Sequence, residues 1–232
     1  MLCTAPLVAQ ARSPDTKPLE VPSDLSFIKQ TGNTEITTTG FGEKITLRPG
    51  WRWTITQYSG LIYGKNDGEV KAESYRTGLN VEMAFSPFIG AYGSVAFERN
   101  VFSGLAARYT YSTGFSAFLV DIPNDRAKFE LGLARINERA TTDVVANFFS
   151  GRAAGEYRHN FRPGTYVREV IEILPNLRDV RDLRLVNVSE IVAPISSHIG
   201  LKVTYVIKQD YQPEPGFQET DTTLQTGLQI TF

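Results

Sequence analysis

Apolar and polar residues alternate with a period of two along most of this chain, in segments of ten or more residues. The clearest segment sets Glu73, Tyr75, Thr77, Leu79, Val81, Met83 and Phe85 on one face and Ser74, Arg76, Gly78, Asn80, Glu82 and Ala84 on the other. A later one sets Leu105, Ala107, Tyr109, Tyr111, Thr113, Phe115, Ala117 and Leu119 against Arg108, Thr110, Ser112, Gly114 and Ser116. Another sets Ile199, Leu201, Val203, Tyr205 and Ile207 against His198, Gly200, Lys202, Thr204 and Lys208. Successive side chains of a strand point to opposite faces, so each segment reads as a strand with one apolar and one polar face. About twelve such segments run from Asp24 to the end, an even number as in single-chain membrane barrels. Helical periodicity is hard to find, and no stretch approaches the ~18 apolar residues of a transmembrane helix. The fold expected is all-β: an antiparallel up-and-down transmembrane β-barrel of about 12 strands.

Prolines supply a second rhythm. Pro49, Pro87, Pro123, Pro163 and Pro194 each fall in a short break, one for every two strands. Proline cannot donate to a ladder, so such a series fits tight turns along one rim, expected to be periplasmic, with longer loops on the other rim. In the third segment Trp51, Trp53, Ile55, Gln57, Ser59, Leu61 and Tyr63 share a face. Its twelve steps at ~3.3 Å, tilted by ~40°, put roughly 30 Å between aromatic ends, which matches an apolar band of ~25 Å with aromatic girdles.

Which face lies inside separates a membrane barrel from a soluble one, whose lumen would be filled with bulky apolar groups. Here the polar face is also the small face, rich in Gly, Ser and Thr. Charges spread through it: Lys44, and the candidate lumen set Arg76, Glu82, Glu98, Arg108, Lys128, Glu130, Arg152 and Lys202. The apolar face is therefore expected to meet lipid. Alternation weakens in the eighth to tenth segments, where Val144, Val145, Phe148, Phe149 and residues 186–192 supply apolar groups to both faces and leave the register open.

Composition narrows the function. With 24 Lys plus Arg against 25 Asp plus Glu and no basic stripe, nucleic acid is not an expected partner. Cys3 is the only cysteine, so no internal disulfide can form. Residues 1–23 read as a residual signal peptide, with Ala9-Gln10-Ala11 resembling a cleavage site, followed by a disordered linker rich in Pro14, Pro18 and Pro22. Residues 24–232 read as the barrel.

The terminal strand carries a resemblance of its own. Gln225, Gly227, Ile230 and Phe232 fill the places of the polar–Gly–apolar–aromatic assembly signal of outer-membrane barrels, which implies the barrel assembly machinery as a partner during biogenesis. More broadly, the chain resembles the salt-induced outer membrane protein family. That resemblance rests on Gly32-Asn33-Thr34, on Leu174-Pro175-Asn176-Leu177-Arg178-Asp179 with Asp182, and on Tyr211-Gln212-Pro213-Glu214-Pro215-Gly216 leading into Thr220-Asp221-Thr222. It implies a barrel in the outer membrane of a Gram-negative-type bacterium, surrounded by outer-membrane lipids and lipopolysaccharide, and brings no catalytic residues.

Outer-membrane phospholipase is also a twelve-stranded barrel, but its Ser, His and Asn set faces the outer leaflet. His159 and His198 lie beside turns expected in the periplasm, and they read as rim residues. Asp210, Glu214, Glu219 and Asp221 make an acidic loop without the spacing of a known calcium loop; it reads as solvated. No enzyme, metal site or cofactor is expected. Two functions remain: a structural or stress-related envelope component with a plugged lumen, and a narrow porin-like channel for small polar solutes or ions. Pairing of Arg108 and Arg76 with Glu82 and Glu98 would favour the plug.

Overall fold

In a computed structural model of the chain, which describes residues 18–31, 36–66, 69–213 and 215–231, a single antiparallel sheet closes on itself. After a two-residue strand β1 (Leu19–Glu20), the sheet contains β2 (Pro22–Thr31), β3 (Ile36–Leu47), β4 (Trp53–Asn66), β5 (Glu69–Ala84) and β6 (Ile89–Asn100). It continues with β7 (Leu105–Asp121), β8 (Asp125–Ala140), β9 (Val145–Arg162), β10 (Thr165–Pro175), β11 (Leu183–Pro194), β12 (Ile199–Asp210) and β13 (Thr220–Thr231). Each strand from β2 onward pairs with its neighbours in sequence, and β13 returns to β2 with Leu228 opposite Leu25. Twelve strands therefore form an up-and-down barrel without an open edge, so the ladder satisfies backbone N–H and C=O groups that lipid could not. None of the described helices is long and apolar enough to cross a membrane.

At the seam, the alternating pattern needs one close approach. A Cβ at Gly227 would stand 2.1 Å from the Leu25 carbonyl oxygen and 2.5 Å from Ser26 Cα, so only glycine lets β13 lie against β2 at this point. Residues 19–20 and 22–23, expected within a linker, are strand instead: Leu19 pairs with Leu47, and Arg48 N–H donates to the Pro18 carbonyl at 2.8 Å.

The proline breaks form the short turns of one rim, residues 48–52, 85–88, 122–124, 163–164 and 195–198. Short turns mark the periplasmic side of such barrels, and the longer connections, including 176–182 and 211–219, mark the extracellular side.

Large apolar side chains cover the outer wall. Trp51, Trp53, Tyr63, Tyr75, Leu79, Tyr109, Phe115 and Leu201 are all exposed on it. Burial of this band needs lipid, which is the physical reason for the membrane. Polar groups also lie on it: Gln57 Nε2 donates to Ser59 Oγ at 2.6 Å beside Thr77, Asn187 donates to Glu169, and Arg135 donates to Asn137 at 3.2 Å while stacking on Phe149.

Two readings of pattern are corrected. Leu105, expected outside, is buried at 7 % exposure, because a bulge between Leu105 and Ala107 shifts the ladder and turns it inward. The ambiguous eighth to tenth segments, β9 to β11, resolve with Phe148 inside and Phe149 outside. Phe148 can be inside because the Arg184 guanidinium packs over its ring at 5.0 Å, giving an apolar residue a place in a charged lumen.

Candidate functional site

Strand alternation delivers charged side chains from nearly every strand into the lumen, and they sort into three linked groups. Near the extracellular end, Arg108 of β7 pairs with Glu98 at 3.5 Å and Glu138 at 2.8 Å. Glu138 also takes Arg184 at 2.7 Å, and Arg184 lies 3.4 Å from Asp210 and 3.7 Å from Asp182. Lys208 of β12 reaches Glu98 of β6, six strands away, and so spans the barrel. In a second group Lys128 pairs with Glu82 at 2.6 Å and Glu130 at 2.7 Å, while Arg152 pairs with Glu130 at 2.7 Å and Glu172 at 2.5 Å. Ser116 donates to Glu82 at 2.7 Å. Towards the periplasm, Lys202 bridges Asp24 at 2.7 Å and Glu190 at 3.1 Å, Tyr166 donates to Glu190, and Arg168 forks onto Glu156 through two 3.0 Å bonds.

The wall formed by β3, β4 and β5 differs. Lys44 and Arg76 point inward there, their side chains are exposed, and neither makes a hydrogen bond or ion pair among the described residues. Glycine shapes this wall. The Arg76 side chain lies over Gly60, where a Cβ would stand 3.1 Å from Nε, and the Tyr58 ring lies over Gly78, where a Cβ would stand 2.5 Å from Cζ. Both side chains therefore lie flat against the barrel instead of crossing it. Arg76 is level with Glu98 in the ladder, but Glu98 is already held by Lys208 and Arg108.

All of Arg76, Glu82, Glu98, Arg108, Lys128, Glu130, Arg152 and Lys202 face the lumen, and every one except Arg76 enters an ion pair. Sequence reasoning missed Glu138, Glu156, Arg168, Glu172, Arg184 and Glu190. Glu138 shares the face of Lys128 and Glu130 on β8, so its parity was readable; the others lie on β9 to β11, where apolar residues on both faces hide the parity, and the like spacing of Arg168 and Glu172 around Val170 was the available signal.

The resemblance motifs gain a structural account. Asn176, buried, donates through Nδ2 to Asp182 at 2.8 Å and accepts from the Arg178 backbone at 2.9 Å, closing the 176–182 loop above Arg184. The 211–219 loop folds over the mouth: the Phe217 ring packs on Gly104, and Ser103 donates to Asp221 at 2.8 Å. A cavity of about 120 Å³ lies beneath it, bounded by Glu98, Arg108, Glu138, Arg184 and Lys208. In the exposed 176–182 loop, Arg181 forks onto Asp179 and holds its carboxyl at about 2, below the usual 3.8. Gly32-Asn33-Thr34, Glu214 and the Ala9-Gln10-Ala11 site lie outside the described residues. So does Phe232 of the assembly signal; Gln225 and Gly227 face the lumen and Ile230 faces out.

His159 Nδ1 lies 2.8 Å from Asp125, which also accepts from Tyr157, and His198 lies against Ser197 at 2.8 Å in the β11–β12 turn. Of the acidic loop, Asp210 is paired with Arg184, and the described residues hold no group of three His, Cys, Asp or Glu side chains that could bind a metal ion.

A family model described as protein of unknown function, DUF481, matches residues 23–232. No curated protein matches the chain. Among solved structures, the NanC porin is 10% identical, with a TM-score of 0.58 over 90% of this chain and 98% of that one. The translocator domain of the autotransporter NalP from Neisseria meningitidis is 11% identical, with a TM-score of 0.54 over 95% and 91%. The KdgM porin is 11% identical, with a TM-score of 0.51 over 91% and 99%. At these identities the likeness is one of fold: an outer-membrane β-barrel.

Proposed function

Because the chain belongs to DUF481, a family described only as of unknown function, we infer its role from the lumen and propose a narrow outer-membrane channel for small polar solutes or ions. One observation carries this reading: Lys44 and Arg76 stand inside the barrel, exposed and without a partner among the described residues. An unpaired charge in a dry interior costs several kcal/mol, of the order that drives a group to pair or neutralise. Two such cations on one wall therefore imply that water fills the β3–β5 side of the lumen. Glycine at 60 and 78 supports the same reading, since it lets Arg76 and Tyr58 lie along the wall. Two structural neighbours are named porins, which agrees with it.

The test is conductance of purified barrel in a planar bilayer with monovalent salt. Discrete steps are expected from protein whose gel mobility is heat-modifiable. Folded protein that gives no steps would remove the channel reading.

A second reading is favoured by a specific feature. The Lys208–Glu98 bridge and the Phe217 contact on Gly104 close the β6–β13 side, as a structural or stress-related envelope component with a plugged lumen would require. Induction by salt rests on sequence resemblance, and transcript levels in low and high salt test it. In either reading the partners are outer-membrane lipids and lipopolysaccharide, with the assembly machinery engaging β13, and no residue is given a catalytic role.

A further inference from the structure

We propose that the β3–β5 side of the lumen is an anion lane, which takes inorganic anions and small carboxylate-bearing solutes in preference to cations. The inference rests on the channel reading and adds the charge of what passes. Its ground is the asymmetry of commitment between the two signs. Each lumen carboxylate of the three groups is engaged: Asp24 and Glu190 by Lys202, Glu82 by Lys128, Glu130 and Glu172 by Arg152, Glu98 and Glu138 by Arg108, Glu156 by Arg168, and Asp210 by Arg184. Among the described residues Lys44 and Arg76 make no ion pair, although Arg76 stands opposite Glu98 in the ladder. The acids whose charge acts on Lys44, Glu156 and Glu190, already hold Arg168 and Lys202.

A second, independent observation lies at the periplasmic end. Arg126, Arg158 and Arg168 stand side by side in the ladder on β8, β9 and β10, all facing inward. Like charges directly opposite each other oppose strand pairing, so a row of three needs compensation. Arg168 has Glu156, and Arg126 lies 3.9 Å from Asp121, but among the described residues Arg158 has only a 2.9 Å bond to Asn160 and a stack on the Tyr166 ring at 3.7 Å. Arg158, on β9 six strands from β3, is thus a third inward cation, with Lys44 and Arg76, that makes no ion pair with a carboxylate among the described residues. In a narrow pore with low-dielectric walls, fixed charges of one sign concentrate the opposite ion. The chain as a whole carries a net charge of −1, so overall charge would not produce this preference; local placement would.

The experiment is the reversal potential of the full-length barrel in a planar bilayer across a potassium chloride gradient, followed by replacement of chloride with acetate. A chloride-to-potassium permeability ratio of about three or more is expected for the wild-type chain, with acetate also carried. Arg76→Gln with Lys44→Gln should bring the ratio to about one, whereas Arg76→Lys should retain the preference. Conduction with a cation preference, or with none, overturns the anion lane and leaves the channel standing. Folded barrel that does not conduct overturns the channel and the lane together. Should the double variant fail to fold, the wild-type ratio and the Arg76→Lys result still decide.

Discussion

Lys208 on β12 reaches Glu98 on β6, the strand directly across the barrel, and the two bridge the lumen near its extracellular end. The bridge is braced by Arg108, which also holds Glu98 at 3.5 Å, so the crossing belongs to a network and not to one pair. Lys208→Gln should therefore widen the path without collapsing it. Because Lys208 retains 35% side-chain exposure and Glu98 keeps Arg108, the stability loss should be about 1 kcal/mol, read by urea unfolding in detergent. Single-channel conductance should rise; an unchanged conductance would place the constriction elsewhere.

Tyr58 depends on Gly78 to lie flat. Gly78→Ala puts a methyl group 2.5 Å from the ring Cζ, and the ring end is free to swing into the lumen. Conductance should fall while the barrel remains folded, at a stability cost of about 1 kcal/mol. Adding Tyr58→Ala should restore conductance, which a general defect in the sheet would not allow.

The outer wall should reject charge. Leu79 faces outward at 46% exposure, so Leu79→Arg should cost ~2–4 kcal/mol at mid-membrane depth. The neighbouring Asn80→Arg, directed into the lumen, should be much milder. Unfolding titrations of both variants in lipid vesicles check this, and reversed costs would mean that the faces have been exchanged.

The terminal strand allows assembly and closure to be separated. Gly227→Val places side-chain atoms against the Leu25 carbonyl, so the variant should fail to close even when refolded from urea into detergent. Deleting Phe232 should instead block assembly in cells yet permit refolding in vitro, if recognition is its main role. Heat-modifiable mobility after refolding distinguishes the two.

Loop chemistry gives a pH prediction. Arg181 holds the Asp179 carboxyl at about 2, below the usual 3.8, so their interaction is fully present above about 4 and lost as pH falls through 2. Arg181→Gln should return the Asp179 midpoint towards 3.8, measured by carboxyl-carbon NMR. The pair is exposed, so thermal stability at neutral pH should hardly change.

Much of the barrel is written in the sequence, because a strand reports its two faces at every second residue. Leu79 against Asn80 and Tyr205 against Thr204 needed no neighbour to show which side meets lipid. The proline turns and the parity of Arg76, Glu82, Arg108 and Lys202 follow from the same local rule. Leu105 escaped it, since a bulge adds one residue to a strand and exchanges its faces without a marker in the alternation. β9 to β11 escaped it because Phe148 is apolar on both readings, and only Arg184 packed over its ring puts it inside.

Partnership was legible only between ladder neighbours: of the pairing considered for Arg108 and Arg76 with Glu82 and Glu98, Arg108 takes Glu98 at 3.5 Å and Arg76 takes neither. Period two says that Lys208, Glu98, Arg76 and Lys44 enter the lumen, but a side chain's partner inside a barrel is set by curvature, shear and strand order. Those bring β12 opposite β6 across more than a hundred residues, and Lys208 thereby takes Glu98 and leaves Arg76 without it. The chain alone determined a membrane barrel with a charged interior. The closed sheet decided which charges cancel, because Coulomb attraction depends on distance through space, and that distance exists only once β13 has met β2.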